Sequence, residues 1–156
     1  NITYDVTNTD TIDTWVPASL LSLYKYELKS NENSFTTAVQ TSRDNGTTFF
    51  EQTLAISLKK QDQAMHKNIK LLAYGRPRII VRTMTDQFFL MGLAQGCDTT
   101  AGEISSGAAL GDFNGYKLTF VASEVLPANF IDVSTEAALK TAFADGSGAD
   151  ASIVTT

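Results

Sequence analysis

Residues Phe50, Gln52, Leu54, Ile56 and Leu58 alternate without a break with Glu51, Thr53, Ala55 and Ser57. A period of two puts one set on each face, the pattern of a half-buried strand, and commits this part of the chain to a sheet. Asp62 then stands where a helix N-cap belongs, and Met65, Ile69, Leu72 and Ala73 follow on one helical face. Gly75 is placed for a left-handed helix stop, and Pro77 keeps the helix from resuming. Ile79 to Met84, a turn at Thr85-Asp86 and Phe88 to Met91 complete a run of strand, helix, strand, tight turn and strand over residues 47–92.

The remaining segments are weaker in pattern. Residues 1–19 are rich in Asn, Asp and Thr, with Trp15 and Pro17 the strong features, and read as an extended arm that a partner orders. Leu20 to Leu28 reads as a strand, Asn31 to Ser34 as a turn, and Phe35 to Thr41 as a Thr- and Val-rich strand. Asp44-Asn45-Gly46 is a turn signal joining that strand to the one beginning near Thr47. Residues 93–115 are rich in Gly, Ser, Thr and Ala without a period, which predicts a long functional loop. Tyr116, Leu118, Phe120 and Ala122 alternate as a further strand, which Pro127 stops. Ser134 is a candidate cap for a short helix through Phe143, and the tail from Asp145 reads as mobile. These elements predict a mainly β chain with one well-made α-helix: a β-sandwich or small barrel flanked by a helix. The expected organisation is an arm at 1–19, a β-rich core at 20–132, and a short helix with a mobile tail at 133–156.

At 156 residues the chain is long enough for a sizeable core. No apolar run approaches the roughly 18 residues needed to cross a bilayer. No secretory leader of basic, apolar and small residues is visible, and the sequence begins at Asn1 without a methionine. The net charge of −5 is unevenly spread. Residues 1–58 hold seven acids and three bases, residues 59–97 two acids and seven bases, and residues 98–156 eight acids and two bases. A basic middle between acidic ends suits contact with nucleic acid or with the acidic face of another copy.

No catalytic constellation emerges. His66 is the single histidine, so neither a His-pair metal motif nor a His-paired nucleophile has its second member. The single Cys97 has no disulfide partner in the chain and is expected to be inert. Ser57-Leu58-Lys59-Lys60 fits the S-x-x-K pattern of penicillin-recognising enzymes without its companion motifs, and on a strand rather than a helix start. Asn45-Gly46-Thr47 is a glycosylation sequon on a turn. Asp98, Glu103 and Asp112 lie in or near the Gly-rich stretch at spacings that fit no calcium loop. Arg76, Arg78 and Arg82 recur at even intervals, which on a strand points them all to one side. These six residues are the candidates for contact between subunits. No enzymatic activity, metal or cofactor is expected.

The order Asn45-Gly46-Thr47-x-Phe49-x-Glu51-Gln52-Thr53-Leu54, the helix ending Ala73-Tyr74-Gly75, and Ile79-Ile80-Val81 together resemble tailed-bacteriophage structural proteins. The continuation through Phe89-Leu90-Met91-Gly92 and Leu110-Gly111-Asp112-Phe113-Asn114-Gly115-Tyr116-Lys117-Leu118-Thr119-Phe120 resembles the same group. The likeness covers residues 35 to 132 and is one of turns and strands. It departs at Tyr74 and at Thr85-Asp86, where a glycine is expected. The resemblance implies a tail-tube fold, a β-sandwich flanked by a helix that forms stacked, hexameric rings around a channel for DNA. It also implies location in the virion, assembled in the host bacterial cytoplasm, contact with other virion proteins, no specific hold on DNA and no membrane. A head–tail connector or capsid decoration protein is the nearest alternative. A β-sandwich carbohydrate-binding module, with Trp15 and the tyrosines as stacking platforms, is a third reading.

Overall fold

The computed structural model describes residues 1–29, 32–109 and 111–155. The turn expected at 31–34 lies partly outside the described residues, and Leu110 of the phage-like pattern wholly so. The fold is mainly β with two α-helices and three separate sheets, and none of these is a closed barrel. The strands are β1 (Ile2–Tyr4), β2 (Thr11–Trp15), β3 (Ser22–Lys25), β4 (Ser34–Ser42), β5 (Thr47–Lys59), β6 (Ile79–Arg82), β7 (Phe88–Met91), β8 (Asp98–Ser105), β9 (Gly115–Glu124), β10 (Asn129–Ile131) and β11 (Ser152–Thr155). Helix α1 spans Gln63–Tyr74 and α2 spans Glu136–Ala142. The chain divides into two compact units. One comprises Asn1–Glu27, Ile80–Leu90 and Asn129–Thr156, and the other Leu28–Ile79 and Met91–Ala128.

The second of these units is built on β5. Its sheet runs β4-β5-β9-β8, antiparallel throughout, so β5 is hydrogen-bonded on both flanks. The alternation seen in the sequence becomes a two-faced sheet. Leu54 stands across from Phe120 and Leu58 across from Tyr116, and all four are buried. Thr53 and Ala55 face the other way, opposite Val121 and Thr119. Helix α1 begins as expected, with Asp62 Oδ2 accepting a hydrogen bond from Ala64 N at 3.2 Å. Ile69 is its buried residue, with Met65 and Leu72 half-buried on the same face. Its end differs from expectation. Gly75 adopts φ −90° rather than a left-handed conformation. Pro77 disfavours helical geometry at Arg76, so the chain leaves the helix extended and needs no left-handed residue.

Two buried polar side chains fix the segment that follows β7. Gln52 lies on the core face of β5, its Oε1 accepting from Gly92 N at 3.1 Å and its Nε2 donating to Leu126 O at 3.3 Å. Glu124, at the end of β9, accepts through Oε1 from Ala94 N at 3.0 Å and Gln95 N at 2.8 Å. Gly92 has φ +70°, and a Cβ there would stand 2.6 Å from Cys97 Sγ, so this close turn requires glycine.

The other unit holds the sheet β1-β2-β10-β7-β6 and the parallel pair β3–β11. Ile12, Ile131 and Phe88 meet in register across β2, β10 and β7 and are buried. In the turn between β6 and β7, Thr83 N donates to Gln87 O at 2.9 Å, and Asp86 takes φ 58°. Aspartate tolerates the left-handed region, so Asp86 does what a glycine was expected to do. Helix α2 is capped by Thr135, whose Oγ1 accepts from Ala138 N at 3.2 Å, one residue later than the expected Ser134.

Three expectations about organisation are corrected. Residues 1–19 are not a free arm: they supply β1 and β2, and Ile12 is fully buried. The segment after Asp145 is not a loose tail, because it closes on its own turn and then pairs as β11 with β3. The Gly-rich stretch 93–115 is not one loop, since β8 occupies Asp98–Ser105. Thus neither residue 19 nor residue 132 divides one body from the next; both units draw on separated parts of the chain.

Replacing Gln52 by Leu keeps the volume but leaves Gly92 N and Leu126 O without their partner. The expected cost is about 2–4 kcal/mol, read as a lower urea midpoint at unchanged slope.

Candidate subunit-contact surface

Among the described residues, strand β4 ends the four-stranded sheet on one side and its strand partner is β5. Its sequence, Ser-Phe-Thr-Thr-Ala-Val-Gln-Thr-Ser, has no charge, no proline and no bulge, and its register with β5 runs unbroken from Ser34 to Ser42. Thr36 to Thr41 are all exposed, and Val39 keeps 61% of its surface in water. Soluble proteins guard such edges with charges, prolines, bulges or short strands. β4 has none of these devices. The opposite edge, β8, is different in kind: it carries Asp98 and Glu103, a glycine at 102 and a register shift between Thr99 and Ala101. Thr99 Oγ1 also lies 3.4 Å from Leu72 O of α1. The sheet thus has one bare edge and one irregular, acidic edge.

The three arginines do not form a row. β6 begins at Ile79, so Arg76 and Arg78 precede it and Arg82 alone lies on it. Each is engaged within its own chain. Arg76 Nε meets Asp98 Oδ1 at 2.9 Å, and Arg78 Nε donates to Leu93 O at 2.9 Å. Arg82 joins Asp86 at 2.7 Å and Glu136 at 3.4 Å. Glu136 is held more closely by Lys25 at 2.6 Å, and this bond lowers the Glu136 pKa and raises that of Lys25.

Glu103 and Asp112 are brought to one place, an open hollow of about 540 Å³ that Lys117 and Phe113 also line. Asp112 is already committed there: its Oδ2 accepts from Ala108 N and Ala109 N, both at 2.8 Å, which pulls its carboxyl below the usual range. Lys117 reaches Glu32 at 3.2 Å and stands 5.1 Å from the Phe113 ring centroid. Among the described residues, no group of three or more His, Cys, Asp or Glu side chains is arranged to hold a metal ion. His66 is exposed on α1 with its ring centroid 6.2 Å from that of Tyr116. Trp15 is half-buried with its ring 5.7 Å from Phe143, so one face of the supposed stacking platform is already in use.

Cys97 is fully buried, and burial, followed by the charge of Glu124, pushes its thiol up to about 12. Desolvation dominates over the charges of Glu124 and the neighbouring Asp98. The candidate surface that the sequence reading did not name is the β4 edge. Its signal was present, since nine residues without charge or proline are readable as an unguarded strand.

Because the thiolate is the reactive form, native protein near pH 8 is expected to resist thiol reagents, whereas denatured protein reacts with one equivalent; titration with a chromogenic disulfide measures both. The Glu136 pair gives a pH dependence of definite sign. A lowered carboxyl pKa adds stability above the ordinary glutamate value, and this is lost as pH falls through the folded value. A raised lysine pKa adds stability below the ordinary lysine value, lost as pH rises through the folded one. Glu136→Gln is therefore expected to narrow the fall in Tm on acidification relative to the parent, as followed by circular dichroism. No protein-family model, curated protein or solved structure matches this chain.

Proposed function

We propose that this chain is a structural, non-enzymatic subunit of a tailed-bacteriophage particle, in the first place a tail-tube subunit, that closes into rings by joining sheets edge to edge. The observation that carries this reading is the long, uncharged and unguarded β4 edge in a sheet whose far edge is unlike it. Joining β4 of one copy to β8 of the next is a heterologous contact, and contacts of that type generate closed rings or open filaments. Backbone pairing supplies the adhesion, and the Asp98–Glu103 edge with its register shift supplies the direction.

The polar face of the same sheet suits a channel wall. Thr36, Thr53 and Val121 follow one another across it in register, as do Ser34, Ala55 and Thr119. Glu51 and Glu103 are on this face, with Lys117 among them. A wall of hydroxyl and methyl groups without a row of cations offers phosphate no anchoring sites, so duplex DNA slides past it. The resemblance over residues 35–132 points to a phage tube as the particle.

Electron microscopy of concentrated protein is expected to display rings or stacked tubes. Ala38→Lys with Gln40→Lys is expected to abolish the rings, with Tm within a few degrees of the parent. The new lysine at position 38 stands opposite Glu51 and does not oppose the fold. A parent that sediments as a monomer at high concentration, or a double-lysine variant that still forms rings, rejects the proposal.

A further inference from the structure

The outward face of α1 carries Lys67, Lys70, Leu71 and Tyr74, spaced so that they form one stripe along the helix. Leu71 keeps 63% and Tyr74 83% of its surface exposed. Among the described residues neither lysine makes an ion pair. A leucine and a tyrosine left bare between two free lysines are not explained by packing within the chain, because the buried side of α1 is the face of Met65, Ile69 and Leu72.

The unit formed by Asn1–Glu27, Ile80–Leu90 and Asn129–Thr156 carries a groove of about 460 Å³ with the opposite chemistry. Phe130 is its exposed apolar residue, Phe88 and Ile131 being buried beneath, and Asp5, Asp86 and Asp132 stand around it. Phe130, packed on Phe89 with centroids 4.4 Å apart, is nearly half exposed. Asp86 is paired with Arg82 at 2.7 Å, and Asp5 Oδ1 accepts from Thr7 N and Asn8 N. The charge of the whole unit supports the same sign: it holds nine acids and three bases, against eight acids and nine bases in the other unit. Within the latter, residues 59–79 contribute six bases and one acid.

We infer that the α1 stripe of one copy docks in the groove of a second copy, with Lys67 and Lys70 against the aspartates and Leu71 and Tyr74 against Phe130. The occupant is a second copy because the same chain carries both the bare cationic helix and the acid-rimmed apolar groove, matched in charge and in apolar content. This contact rests on the self-association proposed above and adds to it a second joint, separate from the β4 edge. Two unlike surfaces meeting head to tail make this joint directional as well.

The test is a cross-link between two single variants, Tyr74→Cys on the helix and Ser134→Cys on the groove wall, mixed and mildly oxidised. Native Cys97 is buried and does not compete. The mixed disulfide is expected to exceed both symmetrical ones. It is expected to fall at least several-fold when Lys67→Glu and Lys70→Glu are added to the helix variant, and to recover when Asp132→Lys is added to the groove variant. A statistical mixture of disulfides, or a yield indifferent to the charge reversal, overturns the inference. So does duplex DNA binding that Lys67→Glu/Lys70→Glu abolishes while no mixed disulfide forms, since the stripe would then serve phosphate. Rings without the mixed disulfide sink this joint and leave the edge-to-edge reading standing. A mixed disulfide without rings does the reverse.

Discussion

Pairing of β5 on both flanks is the constraint on which its unit depends. Ten of its residues pair with β9 and nine with β4, so residues 50–55 are fixed from two sides and every residue of the strand from at least one. One buried position on that strand is polar by necessity. Gln52 holds Gly92 and Leu126 through the two ends of a single amide, and so determines where the chain runs after it leaves β7 and after it leaves β9. A buried amide satisfied at both ends costs little, and with either partner missing it costs more than a methylene group of the same size. The same logic applies to Glu124, whose one oxygen collects two successive backbone N–H groups.

How much of this was legible in the sequence follows from where each element gets its stability. β5 and β9 were readable because both bury one face continuously, and burial writes a period of two into the residues. The N-cap of α1 was readable because Asp62 bonds a backbone amide two residues away, a local event. β8 was hidden: its inward positions are Thr99, Gly102 and Ile104, too mixed to show alternation, because an edge strand buries little. β1 and β2 were hidden for another reason. Ile12 is the sole fully buried residue of β2, and its partner in β10 lies more than a hundred residues later, so no local pattern announces the pairing. Of the six candidate contact residues, Arg76 and Asp98 meet each other and Glu103 and Asp112 share a hollow. The even spacing of the arginines misled because spacing has meaning only inside a strand, and the strand starts after two of them.

The unguarded edge matters because of what it would cost an isolated molecule. Nine residues of uncharged strand invite indiscriminate pairing, and a protein that lives alone gains nothing from leaving them so. On the proposed reading the same row is kept clear because a specific neighbour covers it. The contrast with β8 then has a purpose: two copies meeting β4 to β4 would lack the acidic, irregular partner edge, whereas β4 to β8 leaves each end of the assembly able to accept another copy.

The two proposed joints differ in what would hold them, and that difference decides how an assembly of such subunits would respond to its surroundings. Edge pairing is dominated by backbone hydrogen bonds and by the packing of Thr and Val side chains, neither of which is screened by salt. The helix-to-groove contact combines apolar burial with attraction between lysines and aspartates near water, and salt weakens that attraction over a Debye length of about 8–10 Å. Because Asp86 is already shared with Arg82, the burden of charge recognition would fall on Asp132, an exposed rim residue that makes no ion pair among the described residues. Raised salt would therefore loosen the second proposed joint while the first holds.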